Sequence, residues 1–170
     1  MAVLVSLAGL PGVGKSTIAQ ALSRETGAVY LRIDEIEVAI ASANPDWAFK
    51  GPEGYHIAAA VAASNLMLGH DVIVDSYNPW PITRAIYREA AERAEAGHFA
   101  VEIVCSDVDI HRHRVETRQA DIPGQKVPDW EEVSGRPFSP WEDADLSLDT
   151  SKVTAGEAVS LIRDAMRPGR

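Results

Sequence analysis

The chain has 170 residues, 46% hydrophobic and 24% charged, with a formal net charge of −9 and a single cysteine, Cys105. That length favours one domain, spanning residues 1–170, and the apolar content supplies a real core. The acidic balance repels polyanions and argues against a nucleic-acid partner, no apolar run has the length of a membrane span, and a lone cysteine with no intrachain disulfide fits a reducing cytoplasm.

Val3 to Ala8 reads as a buried strand, without the charged start or cleavage site of a leader. It runs into Gly9-Leu10-Pro11-Gly12-Val13-Gly14-Lys15-Ser16-Thr17, which matches G-x-x-x-x-G-K-[ST]. A helix follows over Ser16–Ser23, with Ile18, Ala19 and Leu22 on one face. Strand, glycine turn and helix make an anion trap, because backbone N–H groups and a helix N-terminus converge where no Cβ intervenes. Gly9, Pro11, Gly12, Val13, Gly14, Lys15, Ser16 and Thr17 are therefore the candidate phosphate cradle of ATP. Lys15 is placed to bridge the β- and γ-phosphates, and Ser16 to hold Mg²⁺.

Gly27 closes that helix, and Ala28 to Ile33 predicts the second strand. It ends at Asp34, ahead of a helical pattern through Ile36, Val38, Ala39 and Ile40. The C-terminal edge of an open α/β sheet is where ligands bind, so Asp34 is both a candidate N-cap and the candidate base for an acceptor hydroxyl. Glu35 reads as solvated helix surface, and Glu37 is open to either reading. Asn44 to Gly54 is a loop carrying Trp47 and Phe49, followed by an alanine-rich helix over Pro52–Leu68.

Asp71 to Asp75 is the third strand. Asp75 is the acid expected at the Mg²⁺ shell, with a capping role as the alternative. After the loop Ser76–Pro81, Ile82 to Ala96 is a helix and Phe99 to Cys105 the fourth strand, with Cys105 as small core filler. Tyr55, Tyr77, Asn78, Trp80, Arg84 and Trp47 are candidate acceptor-pocket residues, each also compatible with core packing.

Asp107 or Asp109 caps a basic helix reaching about Arg118. Its His111, Arg112, His113, Arg114 and Arg118 are the local positive patch of an acidic chain. Arg114 and Arg118 share a helix face and suit a clamp on a transferring phosphoryl group. The alternative is a solvated face with Glu116 as partner. The histidines lack companions for a zinc site. Asp121 to Asp145 is rich in Pro and Gly, as lids and binding loops are; Trp130 and Trp141 fasten it, and Arg136 is placed to reach a phosphate or a nearby acid. The candidate lid spans about 112–141. Leu146 to Leu148 is a fifth strand, and Thr154-x-x-Glu157 is a capping box opening a last helix with Ala158, Leu161, Ile162 and Ala165 inward. The alternation predicts a parallel three-layer α/β sheet.

Gly9–Thr17, Arg32-Ile33-Asp34-Glu35, Val72–Asp75 and Arg114–Arg118, in this order and spacing, resemble the small P-loop kinases of the nucleotide-kinase-like group. The likeness is strongest to AAA-domain and zeta-toxin-like kinases. Their relatives include chloramphenicol phosphotransferase, gluconate kinase, adenylylsulfate kinase and the phage-type polynucleotide kinase. The resemblance implies a P-loop NTPase fold with five parallel strands in the order 2-3-1-4-5 and a mobile lid. It implies Asp34 as acceptor-activating base and Arg114 and Arg118 on phosphate or adenine, with Arg112 competing with Arg114 for the register. It also implies adenine beside Asp149-Thr150-Ser151, bringing in Thr150. Glu37 stands where polynucleotide kinases of this type have an arginine, and Arg-Ile-Asp stands where adenylylsulfate kinases have Asp-Gly-Asp. The Asp-x-x-His element of gluconate kinase is absent, while Ser76–Trp80 with Arg84 loosely resembles the Ser-Pro-Tyr loop of adenylylsulfate kinases. The expectation is transfer of the γ-phosphate of ATP, with Mg²⁺, to a hydroxyl of a small molecule bound by Asp34, Tyr55, Tyr77, Asn78, Arg84 and Arg136. The alternatives are adenylylsulfate kinase itself and a nucleotide-binding switch with no acceptor.

Overall fold

The computed structural model describes residues 1–44, 46 and 51–166. Trp47 and Phe49 lie outside the described residues. The elements in chain order are β1 (Val3–Ala8), α1 (Lys15–Thr26), β2 (Val29–Arg32), α2 (Ile33–Ala43), α3 (Glu53–Met67), β3 (Val72–Asp75), α4 (Pro81–Arg93), β4 (Gly97–Val104), α5 (Val108–Thr117), α6 (Trp130–Ser134), β5 (Leu146–Asp149) and α7 (Ala155–Ala165). The five strands form one parallel sheet in the order β2-β3-β1-β4-β5, the order expected.

Parallel strands covered on both faces read as continuous apolar runs, and β1 and β3 are buried nearly throughout. On one face Val5, Leu7, Ile73 and Ile103 pack with Ile18 and Leu22 of α1 and Ile162 of α7. On the other, Leu4, Val72 and Val74 meet α3 and α4. There α3 presents Ala58, Ala59, Ala62 and Ala63, so short side chains let the helix approach closely, and Leu66 fills the remaining gap. Leu66→Ala would cost about 2–5 kcal/mol. Among the described residues no helix is long and apolar enough to cross a membrane.

Four expectations are corrected locally. Asp34 is not an N-cap: Arg32 is the extended residue before α2, and Asp34 is the second residue inside it. Helix α7 turns Ala158, Val159 and Ile162 inward, leaving Leu161 43% exposed and Ala165 exposed, a shift of phase along the helix. Cys105 is half-buried at the fringe of the core. The long segment before β5 contains the unexpected helix α6, held by a capping box between Asp129 and Glu132.

Register places the chemistry. Arg32 on β2 and Leu7 on β1 flank Asp75, the last residue of β3, while Val104 on β4 pairs with Asp149 at the end of β5. The charged ends of these strands and the turn after β1 therefore share one edge of the sheet.

Candidate active site

Two glycines shape the turn after β1. Gly9 has φ +149° and Gly12 φ +83°. A Cβ on Gly9 would run into the Ile103 carbonyl oxygen, and one on Gly12 into the Val115 side chain of α5. The Gly9 N–H donates to the Tyr77 carbonyl at 3.1 Å, tying the turn to the loop after β3. Gly14, at φ 101°, is the residue before α1, so no side chain intrudes on the first N–H groups of that helix. The Lys15 ammonium folds back on its own loop, donating to the Leu10 carbonyl at 2.9 Å. Burial lowers its pKa, opposed by Asp75 and Asp34.

Beside this turn a buried cation gathers three carboxylates. Arg32 is 3% exposed and lines the cleft. Its guanidinium donates to both oxygens of Asp121, at 2.6 and 3.1 Å. It also lies 3.7 Å from Asp34 and 3.9 Å from Asp75. Asp75, also 3% exposed, accepts from the Tyr30 hydroxyl at 2.9 Å. Asp34 accepts from the Gln125 amide at 2.8 Å, and Arg118 reaches Asp121 at 3.7 Å. Asp34 at the start of α2 and Asp121 beyond α5 are thus brought onto one guanidinium.

On the opposite side of the turn, Arg114 donates to Thr150 through its hydroxyl (2.8 Å) and carbonyl (3.0 Å). The Thr150 hydroxyl donates in turn to the Val13 carbonyl at 2.7 Å. His111 contacts the Pro11 carbonyl through Nε2 at 2.8 Å and meets Trp130 edge-on, with centroids 5.2 Å apart. Arg112 does neither: it is exposed, pairs with Glu116 at 2.7 Å and does not line the cleft. Of the two arginines, Arg114 is the one that lines the cleft.

The cleft measures about 1180 Å³ and runs from Thr150 and Ala155, past Lys15, Ser16 and Asp75, to Glu37, Gln125 and Arg136. Tyr77 lines it, with its hydroxyl donating to the Pro137 carbonyl and its ring under the Arg136 guanidinium at 5.8 Å. Tyr55, Asn78 and Arg84, expected in the acceptor pocket, do not line the cleft. Tyr55 is buried against Tyr87 and accepts the Asn78 N–H at 2.9 Å. Asn78 is fully buried in a left-handed turn at φ 47°. Arg84 is 3% exposed, donates to the carbonyls of Asn78, Ser139 and Pro140, and sits over the Phe138 and Trp141 rings. It clamps the far end of the 121–145 segment from below, because a planar five-donor fork can collect several carbonyls at once. Trp80 is 42% exposed and outside the cleft lining.

The reasoning from residue types missed Arg32, Asp121 and Gln125 as parts of the site. Arg32 carried a signal: an arginine closing an otherwise apolar strand needs a partner when buried. Gln125 carried none, since the turn that aims it at Asp34 has no local signature.

Comparison with known proteins follows the same lines. The sequence profile described as AAA domain matches residues 4–132. The chain belongs to the AAA domain family. No curated protein matches it. Solved structures do match. The APS kinase of Mycobacterium tuberculosis, in complex with AMPPNP and APS, is 21% identical with a TM-score of 0.75, covering 97% of each chain. A putative kinase from Chloroflexus aurantiacus is 20% identical with a TM-score of 0.76, covering 99% of this chain and 98% of that one. A gluconokinase from Sinorhizobium meliloti is 15% identical with a TM-score of 0.62, covering 95% and 90%. The shared feature is the fold, that of P-loop NTPases of the nucleotide-kinase-like group.

Proposed function

We propose that this protein is a kinase that transfers the γ-phosphate of ATP to a hydroxyl of a small molecule. The observation that carries the reading is the position of Asp34. Its carboxylate lines the same cleft as Lys15 and the turn after β1, at the edge of the sheet away from Thr150, and is held by Gln125 at 2.8 Å. The cleft volume of about 1180 Å³ exceeds the roughly 300–1,000 Å³ usual for a single ligand, which leaves room for an acceptor beside a nucleotide.

The residues present suit magnesium. Ser16 and Asp75 offer hard oxygen donors at the turn, and buried Asp75 meets only the Tyr30 hydroxyl at 2.9 Å and the Arg32 guanidinium at 3.9 Å among the described residues. These two would hold the ion, which supplies neutralisation of phosphate charge when bound. Gly9 to Thr17 cradle the phosphates, and Thr150 with Arg114 borders the nucleotide end. Asp34 accepts the proton of the acceptor hydroxyl. The acceptor oxygen forms its bond to the γ-phosphorus as the bond to the β–γ bridging oxygen breaks, and ADP leaves. Lys15 and Arg118 balance the charge spread over the transferring group. In this reading residues 1–170 work as one domain, and the segment about 112–141 covers the cleft and excludes water. Arg136 and Tyr77 contact the acceptor.

The test is transfer of label from γ-labelled ATP, with Mg²⁺, to a mixture of hydroxyl metabolites that includes adenylylsulfate. A labelled product made by the wild type and lost in Asp34→Asn supports the reading. Tight ATP binding with no product from any acceptor overturns it in favour of a nucleotide-dependent switch.

A further inference from the structure

The far half of the cleft presents acceptor oxygens that no described residue satisfies. Glu37 lies one helical turn beyond Asp34 on the same face of α2 and lines the cleft, half-buried. Among the described residues no hydrogen bond or ion pair reaches its carboxylate. The other charged groups of that half have partners: Arg118 and Arg32 are on Asp121, and Lys126 is on Glu132 at 2.9 Å. Arg136 is exposed, stacked over Tyr77, and its attraction is the smallest of the influences on Glu37. Burial, then Asp34 and Glu53, push the Glu37 carboxyl up to about 7, the mark of a charge held without compensation. Next to it, Gln125 spends its amide N–H on Asp34 and leaves its Oε1 buried with no partner. A buried acceptor without a donor is destabilising, so the site is built for a ligand that brings donors.

We infer that the acceptor is an amine-bearing alcohol, an amino sugar or aminocyclitol, whose ammonium pairs with Glu37 and donates to Gln125 Oε1 while its hydroxyl faces Asp34. The inference rests on the phosphotransfer reading and deepens it. Asp34 and Glu37 project from positions roughly 5–6 Å apart at Cβ, a span that one six-membered ring bridges. An ammonium opposite Glu37 replaces lost hydration and relieves the repulsion from Asp34 and Glu53. An anionic acceptor would meet Glu37 with no ion-paired cation beside it among the described residues, whereas Arg136 is already solvated and gains less from a new partner.

The experiment measures binding by calorimetry to the full chain with Mg²⁺ and AMPPNP. The ligands are glucosamine and 2-deoxystreptamine, their N-acetylated forms, gluconate and adenylylsulfate. The wild type is expected to bind an amine at least tenfold more tightly than its N-acetylated form, and the isosteric Glu37→Gln, checked for folding by its melting curve, to bring that ratio within about threefold. The inference is overturned if no amine binds, if a neutral or anionic ligand binds as tightly, or if Glu37→Gln keeps the discrimination. A parallel assay follows label from γ-labelled ATP into the bound amine. Amine binding without transfer sinks the phosphotransfer reading and leaves the Glu37 pairing standing; transfer to a non-amine does the reverse.

Discussion

Arg32 and Asp121, 89 residues apart in sequence, face each other through two hydrogen bonds, fork to fork. Arg32 is buried at the end of β2, whereas the Asp121 side chain is half-exposed just beyond α5. This bond draws the start of the 121–145 segment onto the sheet edge where Asp34 and Asp75 stand.

Asp121→Ala should therefore cost little stability, about 1 kcal/mol after allowance for solvent at the exposed partner. Arg32→Met should cost more, about 3–5 kcal/mol, because it strands the buried Asp75. Chemical denaturation distinguishes the two. The hydrogen bond from Arg32 lowers the Asp121 pKa below its ordinary value of 3.8. Its contribution is then full above that ordinary value and lost as pH falls through the lower, folded one. Asp121→Ala should narrow the difference from wild type in acid.

On the proposed kinase reading, Asp34→Asn should lower the rate of phosphate transfer by about 10²–10⁴ while leaving ATP affinity within a few-fold, since a general base contributes on that scale and does not hold the nucleotide. Steady-state kinetics on the identified acceptor, with nucleotide binding measured separately, gives both numbers.

Gly9→Ala should fail through backbone conflict. Its Cβ meets the Ile103 carbonyl, which no rotamer change can move, and the residue sits at positive φ. A loss of about 2–5 kcal/mol is expected, with nucleotide binding reduced in whatever protein folds. Gly27→Ala, also at positive φ but with open space around the Cβ, should cost less. Comparing the two melting curves isolates the clash.

Arg84→Met should act on stability and not on recognition. It removes donors from three carbonyls and a cation stacked on two rings. A loss of about 2–4 kcal/mol is expected, with the acceptor KM nearly unchanged at a temperature where the variant is folded.

Glu37 sets a pH dependence of the fold. Its folded pKa, about 7, lies above the ordinary 4.5, so the folded chain holds a proton that the unfolded chain releases. Stability should decline as pH rises from about 4.5 to 7, and Glu37→Gln should remove that slope. The variant is expected to melt above the wild type at pH 8 and level with it at pH 4. Equal pH profiles for the two proteins would refute the assignment.

The layout of the fold was legible because its signals are local. A glycine turn and Lys15-Ser16 follow directly on the apolar run Val3–Ala8, and β2, β3 and β5 are short segments closed by Arg32, Asp75 and Asp149. The family likeness then supplied the strand order. The candidate site was legible only where one element carries it. Asp75 ends β3 and Asp34 follows β2 by two residues, but Arg84 misled because an arginine in a pocket loop and one collecting buried carbonyls look alike in a sequence. Arg112 and Arg114 differ by a half-turn of helix, which periodicity cannot fix without a partner. Arg32–Asp121 and Gln125–Asp34 join residues about ninety positions apart, and no local pattern encodes such a meeting.

The 121–145 segment is tied at both feet, by Asp121 to Arg32 and by Pro137, Ser139 and Pro140 to Tyr77 and Arg84, with α6 propped on α5 between them through Trp130 and His111. Such a segment is an arch and not a flap. Close to the first foot, Gln125 adds a further tie, to Asp34. The arch's hold on the cleft then depends on both feet together, so cutting either tie should loosen the whole span rather than one edge of it.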